Sequence, residues 1–362
     1  MKLLHCADLH LDAKMESGLT SAAAKTRRVE LLMTFSRLIE TAEEHGAQAL
    51  LLAGDLFDTD RVSEKTRRYV GQTIADHPAL RFLYVPGNHD ESVPPLFEGG
   101  ETPENFFAFP ADGWASVELS DTVTVSATGA LDRPGIFEQL PSPPSGVFHI
   151  VMLHGQLVKG EECGRDRIPL KLLQNRGIDY LALGHEHTAR VQALDRRGVW
   201  AYAGCPEGRG FDECGVKGCL LIDTLADADS RVTFLPLSIR TLHEISVPVD
   251  HCLSFSDVLD AVKQSVQALP PEDMVKVVLC GHVSPDLPRD TEHIRRWLSD
   301  RFLLCRVKDD CRLAIRKEDY QSDVSLKGEF IRTVLASRLS EEQKQRTIEY
   351  GLRALRGEEV DA

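Results

Sequence analysis

Five short apolar segments of this chain are each followed directly by residues that can bind metal ions or phosphate. The five polar groups, in chain order, are Asp8-Leu9-His10, Gly54-Asp55-Leu56-Phe57-Asp58, Gly87-Asn88-His89-Asp90, His154-Gly155 and Gly184-His185-Glu186-His187. In α/β sheets the carboxyl ends of the strands open onto a common crevice, so residues far apart in sequence meet there. This pattern predicts one site built from several strand ends.

The apolar segments themselves predict strands that are buried on both faces, because their apolarity is continuous rather than alternating. They span residues 3–6, 49–53, 81–85, 149–153, 180–183 and 200–203. Helical patterns at 22–45 and 63–76 lie between the first three. Strand–helix–strand repeats of this kind predict an α/β fold with one central sheet flanked by helices. Residues 117–119 and 123–125 predict an antiparallel hairpin.

A second module is predicted from about residue 240. Strand patterns at 243–249, 275–280 and 304–307 alternate with helical patterns at 255–266 and 292–302, and residues 325–356 are helical. Ser340 and Gln343 predict a capping box, and Ile348, Leu352 and Leu355 predict an apolar stripe. We therefore divide the chain into residues 1–240, a smaller domain at 241–320 and a helical tail at 321–362.

Composition limits the classes of function. The nine cysteines are odd in number and form no CxxC pair, so a reducing cytoplasm is expected. No apolar run approaches the ~18 residues of a membrane span, so no membrane partner is expected. The net charge of −14 disfavours indiscriminate binding to nucleic acid, although it leaves room for a local basic groove.

The polar groups form a set rich in imidazole. Residues two apart in extended backbone point the same way, so Asp8 and His10, and likewise His185 and His187, are expected to face the site together. Imidazole with carboxylate suits Mn, Fe or Zn better than Mg. Two such ions ~3.5–4 Å apart can hold a phosphoryl group, activate a bridging water and stabilise the leaving oxygen.

The ordered motifs DxH, GDxxD, GNHD, H and GHxH resemble those of the calcineurin-like metallophosphoesterases. GDLFD and GNHD, with the additional C-terminal domain, are similar to the SbcD branch of DNA repair exonucleases. Residues 205–213, Lys217-Gly218 and 325–330 are similar to the YhaO group within that branch. The resemblance implies a four-layer αββα sandwich, a small α+β capping domain and the helical tail.

The resemblance also implies roles for particular residues. One metal ion would be held by Asp8, His10, Asp55 and His187, and a second by Asp55, Asn88, His154 and His185. Asp55 would bridge the two ions. His89 would contact the phosphate or protonate the leaving oxygen, and Asp58 would orient His89. Several SbcD-type nucleases carry a second histidine at the position of Asp58.

Other residues have competing interpretations. Asp58 could instead cap the helix that starts near residue 63. Asp90 could support the ligands or form a turn. Arg209 could bind substrate phosphate or make a structural salt bridge. Four basic residues could contact a DNA backbone or lie on a solvated helix face: Arg61, Lys65, Arg67 and Arg68.

Together these features predict a phosphodiesterase with two divalent metal ions, Mn²⁺ first and Fe or Zn as alternatives. The predicted activity is that of a DNA exonuclease or endonuclease in DNA repair, which hydrolyses phosphodiesters with a metal-bridged water. Its expected partners are DNA, an ATPase of the SbcC type and a second copy of the chain. Two alternatives remain open: a phosphodiesterase or phosphatase for small molecules, which the acidic charge suits, and a mainly structural partner of the ATPase.

Overall fold

The computed structural model describes residues 1–15, 19–58, 62–90, 93, 96–97, 102–160, 164–315 and 317–355. Arg61, from the basic run discussed above, lies outside these ranges, as does Cys163. The chain divides into two compact units, Met1–Thr241 and Leu242–Ala362. None of the described helices is long and apolar enough to cross a membrane.

The first unit is built on two six-stranded sheets. Its elements in chain order are β1 (Lys2–Cys6), α1 (Ser21–Glu44), β2 (Ala49–Ala53), α2 (Glu64–Ala75), β3 (Arg81–Val85), β4 (Phe106–Ala108), β5 (Ala115–Ser120), β6 (Val123–Ala127), β7 (Phe148–His154), β8 (Gln156–Val158), β9 (Arg167–Pro169), α3 (Leu170–Leu173), β10 (Tyr180–Gly184), β11 (Arg190–Ala193), β12 (Val199–Tyr202), β13 (Gly218–Asp223) and β14 (Val232–Pro236). The strand orders are β14-β13-β1-β2-β3-β4 and β11-β12-β10-β7-β6-β5, and β8 pairs with β9. The predicted hairpin is confirmed, because β5 and β6 pair antiparallel.

The two sheets pack face to face. Alternate residues of one strand pack on opposite sides of its sheet, either between the two sheets or against the outer helices. In β2, Leu51 lies in the core between the sheets, whereas Leu50 packs under α1 and α2. In β10, Ala182 lies between the sheets and Leu183 packs on the outer side with the short helix α3. The αββα sandwich implied by the resemblance is therefore confirmed. The apolar pattern alone predicted a central sheet and did not show that there are two, because strands of both sheets are buried on both faces and look alike in sequence.

The second unit contains a three-stranded parallel sheet. Its elements are β15 (Leu242–Pro248), α4 (Phe255–Val266), β16 (Met274–Cys280), β17 (His282–Val283), α5 (Thr291–Ser299), β18 (Leu304–Asp309), β19 (Arg312–Leu313), α6 (Leu326–Ala336) and α7 (Glu341–Leu355). The order β15-β16-β18 with parallel pairing confirms the predicted βαβαβ pattern, and β17 pairs with β19.

The two C-terminal helices pack into the core of this second unit. Ile331 of α6 and Ile348 and Leu352 of α7 lie in the same cluster as the strand residues. The capping box of α7 is confirmed, with hydrogen bonds of 2.9 and 3.2 Å between Ser340 and Gln343. Leu355 is the exception to the predicted stripe, because it ends the helix and is 45% exposed.

A buried charge network holds α1 to the end of the first unit. Arg27 of α1 is 0% exposed, and its guanidinium donates to Glu30 and, at 2.8 Å, to Glu207. Glu207 also accepts from the backbone nitrogen of Ile239 at 2.6 Å, and Arg240 donates to Glu30 at 2.6 Å. The loop that contains Glu207 is thereby fixed to the helix and to the last residues of the unit.

We expect Glu207→Ala to lower the free energy of unfolding by about 3–5 kcal/mol, since it leaves the buried Arg27 charge short of a partner. Urea denaturation followed by circular dichroism measures this. Glu118 is exposed on β5; Glu118→Ala is the control and should change stability by less than ~0.5 kcal/mol. Equal stability of the two variants would show that the network contributes little.

Candidate metal centre

The predicted ligand residues lie where strands of both sheets end. The backbone nitrogen of His185, after β10, donates to Asp8, after β1, at 2.9 Å. Nδ1 of His154, the last residue of β7, lies 2.9 Å from the carbonyl oxygen of Ala53, the last residue of β2. These contacts join the two sheets at one edge of the sandwich, so residues up to 177 positions apart meet there.

One group of ligand atoms lies around His10. Single ligand atoms from Asp8, His10 and His187 all lie within 4.8 Å of one another. Nε2 of His10 is 3.2 Å from Nε2 of His187 and 3.7 Å from Oδ2 of Asp55. Asp8 and His10 are each 1% exposed, whereas the His187 side chain is 28% exposed, so the group is open to solvent on the side of His187.

A second group lies around His154. Ligand atoms from Asp8, Asp55 and His154 also lie within 4.8 Å of one another. Nε2 of His154 is 3.3 Å from Oδ2 of Asp55 and 3.1 Å from Oδ1 of Asn88. The ring of His185 lies across that of His154, with 5.5 Å between centroids. The Asp55 carboxylate contacts both groups, and so it occupies the position of a shared ligand.

Two of the imidazoles, those of His187 and His154, use Nδ1 in a hydrogen bond to the protein, whereas Nδ1 of His10 lies near a carboxylate without forming one. Nδ1 of His187 lies 2.6 Å from Oε1 of Glu213, and Nδ1 of His10 lies 3.3 Å from Oδ1 of Asp58. His154 uses Nδ1 on the Ala53 carbonyl in the same way. Such outer partners fix the tautomer of metal-binding histidines, so that Nε2 carries the lone pair.

This arrangement fits a cation. Nδ1 of His187 faces Glu213, so its Nε2 carries the lone pair, and Nε2 of His10 lies 3.2 Å away, where one cation could bind both nitrogens. Two atoms that each bind one cation at ~2.1 Å lie about 3.0–3.4 Å apart. The spacing between the two Nε2 atoms, and that between His154 and Asp55, falls in this range.

The pKa values reflect a crowded, buried set of charges. Burial raises the pKa of Asp8 to about 6, partly offset by His154 and His187. Burial also opposes ionisation of Asp55, but the hydrogen bond and charge of His154 hold the pKa of Asp55 well below its usual range. Burial lowers the pKa of His10 to about 4, whereas contact with Asp55 overcomes burial and raises the pKa of His154 to about 9.

Four of the predicted ligands have left-handed backbone. The φ angles are 53° at Asp8, 44° at His10, 50° at Asp55 and 105° at His185. Asp and His tolerate this region better than most residues do. The expectation that Asp8 and His10 converge through extended backbone was therefore wrong, because a local reversal after the strand turns these side chains toward the site.

Two glycines leave room for the ligands. A Cβ on Gly54, whose φ is 89°, would lie 2.2 Å from Nδ1 of His154. A Cβ on Gly184 would lie 1.9 Å from the Ala53 carbonyl oxygen. The glycines of these two motifs thus permit close approach between the two sheets, and of the two only Gly54 also needs the left-handed conformation.

His89 lies at the exposed side of this centre. Its ring is 4.9 Å from that of His10, and its Nδ1 lies 2.6 Å from the backbone carbonyl oxygen of Asp58. The orienting contact implied by the resemblance was to the Asp58 side chain. In the structure that carboxylate is instead turned to His10, at 3.3 Å, and to Arg209, at 2.8 Å.

The remaining candidates have structural partners. Asp90 accepts hydrogen bonds from the backbone nitrogens of Leu56 and Phe57 at 3.1 and 3.0 Å, so it supports the loop after β2. Arg209 makes the salt bridges that were one of its two interpretations, with Asp58 and Glu213. On α2, Arg68 pairs with Glu64 within one exposed helix face.

Glu213 was not predicted from the sequence as part of the site. This residue lies 26 positions after His187, and no spacing rule connects the two. It falls inside the segment 205–213 quoted for the YhaO resemblance, which was the one indication available. The side chain is 4% exposed, and its acceptor atoms face His187 and Arg209.

Comparison with known proteins identifies relatives of this chain. The DNA double-strand break repair protein Mre11 of Sulfolobus acidocaldarius is 26% identical over 283 residues, covering 74% of this chain and 72% of that protein. The SbcD subunit of the nuclease SbcCD from Escherichia coli (strain K12) is 23% identical over 417 aligned positions, covering 96% of each chain. The metallophosphoesterase YhaO of Bacillus subtilis (strain 168) is 25% identical over 252 residues, covering 61% of this chain and 57% of YhaO.

These relatives confirm the resemblance to the SbcD type. Residues 1–189 match the family described as calcineurin-like phosphoesterase, and all five polar motifs lie within that segment. The family uses a dinuclear metal site, and the described residues form candidate ligand clusters at the same motifs. With the αββα sandwich and converging ligand atoms of its first unit, the chain belongs to the calcineurin-like phosphoesterase family.

Proposed function

We propose that this chain is a phosphodiesterase that binds two divalent metal ions and acts on DNA. The observation that carries the proposal is the convergence of imidazole Nε2 atoms on a shared carboxylate. Nε2 of His10 lies 3.7 Å from Asp55, and Nε2 of His154 lies 3.3 Å from the same oxygen of Asp55. A phosphoesterase site needs such a pair of adjoining cation positions.

The two positions draw on different ligand sets. We assign the first ion to the set Asp8, His10, Asp55 and His187, and the second to the set Asp55, Asn88, His154 and His185. When bound, two such ions supply Lewis-acid stabilisation of the phosphoryl group and lower the pKa of the attacking water. Mn²⁺ is the ion we favour, with Fe or Zn as alternatives, because imidazole and carboxylate ligands suit all three.

His89 is the residue we propose to act on the substrate. Its Nδ1 donates to the Asp58 carbonyl, so the tautomer leaves Nε2 on the exposed side of the ring. In the imidazolium form, in which Nε2 carries a second ring proton, this nitrogen can donate to the phosphate or deliver its proton to the leaving oxygen. In this proposal the part of Asp58 that orients His89 is its carbonyl oxygen, and the carboxylate supports His10 instead.

The choice of DNA rests on the relatives. One is named as part of a nuclease and covers 96% of this chain, and another is named for DNA double-strand break repair. The net charge of −14 favours the alternative, a phosphodiesterase for small molecules. An assay that compares Mn²⁺-dependent hydrolysis of single-stranded DNA, double-stranded DNA and bis-p-nitrophenyl phosphate decides between them. Hydrolysis of the small diester without any cleavage of DNA, also in the presence of an SbcC-type ATPase, would reject the nuclease proposal.

One protein partner is suggested by the same comparison, and a second copy of the chain is a separate proposal. A relative named as one component of a nuclease complex supports an ATPase of the SbcC type as partner, and a homodimer is our second proposal. Co-purification of the full chain with such an ATPase tests the first. Sedimentation equilibrium of the chain alone tests the second, where a mass near the 40.2 kDa monomer would reject it.

We expect a chain that ends after Thr241 to keep its metal site and its activity on the small diester. The first unit has its own hydrophobic clusters, and Arg240, which belongs to the buried network, is retained. Activity on DNA should fall much further, because a large substrate makes contacts remote from the reacting phosphate. Parallel assays of both substrates measure the difference, with circular dichroism to show that the shortened chain is folded. Equal losses on both substrates would remove any role of the second unit in DNA cleavage.

A further inference from the structure

Arg209 joins two carboxylates on one side of the candidate metal centre. Its Nη1 donates to Oδ1 of Asp58 at 2.8 Å, and its Nη2 donates to Oε1 of Glu213 at 2.9 Å. Its Nε reaches the same Glu213 oxygen at 3.3 Å, and its backbone nitrogen donates to Oε2 at 2.6 Å. We call these three residues, Asp58, Arg209 and Glu213, the carboxylate bridge.

Each end of the carboxylate bridge lies beside Nδ1 of a histidine of the first metal position, with a hydrogen bond at His187 and an ion-pair contact at His10. Glu213 lies 2.6 Å from Nδ1 of His187, and Asp58 lies 3.3 Å from Nδ1 of His10. The opposite nitrogens of these two rings are the pair of Nε2 atoms that lie 3.2 Å apart. The bridge therefore contacts both rings on the side opposite their Nε2 atoms. The guanidinium group of Arg209 links the two contacting carboxylates.

The chemistry of the bridge suits a positioning task. A guanidinium group is planar and presents its donors in a fixed fork, so it sets the angle between two carboxylates more firmly than an ammonium group can. The Arg209 side chain is 20% exposed and the Glu213 side chain 4%, so water screens these contacts only weakly.

We propose that Glu213 and Arg209 are positioning residues of the first metal position. Glu213 keeps the proton of His187 on Nδ1 and the lone pair on Nε2. Arg209 holds the carboxylates of Glu213 and Asp58 in a fixed orientation relative to each other. This inference rests on the proposed two-metal function. It also gives Arg209 a different task from binding substrate phosphate, because Nε, Nη1 and Nη2 all donate to carboxylates of the chain.

The test is a titration of Mn²⁺ into the full-length chain by isothermal calorimetry. Glu213→Gln and Arg209→Ala should each weaken binding of one ion about 10–100-fold, the usual effect of losing an outer partner of a metal ligand. Binding of the other ion should stay unchanged, and Arg209→Lys should lie between Arg209→Ala and the unaltered chain. Arg197→Ala is the matched control, since Arg197 pairs with Asp179 at 2.7 Å away from the metal motifs.

A second measurement reads the tautomer directly. In the Zn²⁺-loaded chain, ¹⁵N chemical shifts of His187 should show a protonated Nδ1, and Glu213→Gln should broaden or shift that signal while circular dichroism stays constant. Unchanged Mn²⁺ affinities in both variants would reject the positioning role. If Arg209→Ala kept its Mn²⁺ affinities but showed a raised KM for DNA, the result would instead support the interpretation that Arg209 binds substrate phosphate. Failure of the unaltered chain to bind two ions would instead reject the proposed function itself.

Discussion

Asp55→Ala should remove both metal ions and lower phosphodiester hydrolysis by at least ~10³-fold, because metal ions supply several kcal/mol of transition-state stabilisation and each ~1.4 kcal/mol is a factor of ten. Asp55 is 2% exposed, and its carboxylate contacts both His10 and His154. Without it, two cations would face each other with no negative charge between them. Metal analysis of the purified variant, beside the diester assay, measures both effects.

The control for this variant is Asp179→Ala. Asp179 is also a buried aspartate, 8% exposed, but its partners are Arg197 and the backbone of His149. Its replacement should reduce stability while leaving the metal content at two ions per folded chain. Two ions at full occupancy in Asp55→Ala would show that this carboxylate is not shared, and the ligand sets proposed above would have to be redrawn.

His89→Ala is expected to separate binding from catalysis. The variant should keep both ions and lose about 10²–10⁴-fold in rate, the usual effect of removing a general acid. The His89 ring is exposed and held by the Asp58 carbonyl, so its loss should leave the ligand atoms where they are. The measurements are metal content and single-turnover hydrolysis of a diester with a poor leaving group.

The choice of leaving group sharpens the His89 test. If His89 protonates the leaving oxygen, the loss should shrink for p-nitrophenolate, which needs little protonation. If His89 only holds the phosphate, the loss should be the same for good and poor leaving groups. His77→Ala, which alters a histidine that lies near Glu43 after α2, is the control. Loss of metal from His89→Ala would show that His89 is a ligand.

The strands and the convergence of the polar motifs at their ends could be predicted from sequence, because both follow from local pattern. The bounds of β2 and β3 match the predicted apolar runs, and the polar motifs stand directly after their strands. The number of sheets could not be predicted in this way. Leu51 of β2 and Ala182 of β10 both lie in the middle of the sandwich, and neither strand shows in its own sequence which sheet it joins.

The geometry inside the site depended on contacts that sequence does not display. The Asp58 side chain turns to His10 and Arg209, and only its carbonyl reaches His89, because the direction of a loop residue is set by its neighbours in space. Glu213 reaches His187 from a loop that is held on its other side by Glu207 and the Arg27 network. Such support comes from packing across the unit, and no short motif encodes it.

The left-handed backbone at Asp8, His10, Asp55 and His185 has a consequence for how such a sequence can evolve. A non-glycine residue in this conformation costs of order 1–2 kcal/mol, and glycine would relieve that cost. Glycine would also leave the backbone nitrogens of His185 and His89 without the acceptors that Asp8 and Asp55 supply, which costs a comparable amount. The strained backbone at Asp8 and Asp55 is thus offset by hydrogen bonds that their carboxylates accept, and loss of phosphoesterase activity alone would not make glycine the more stable residue there.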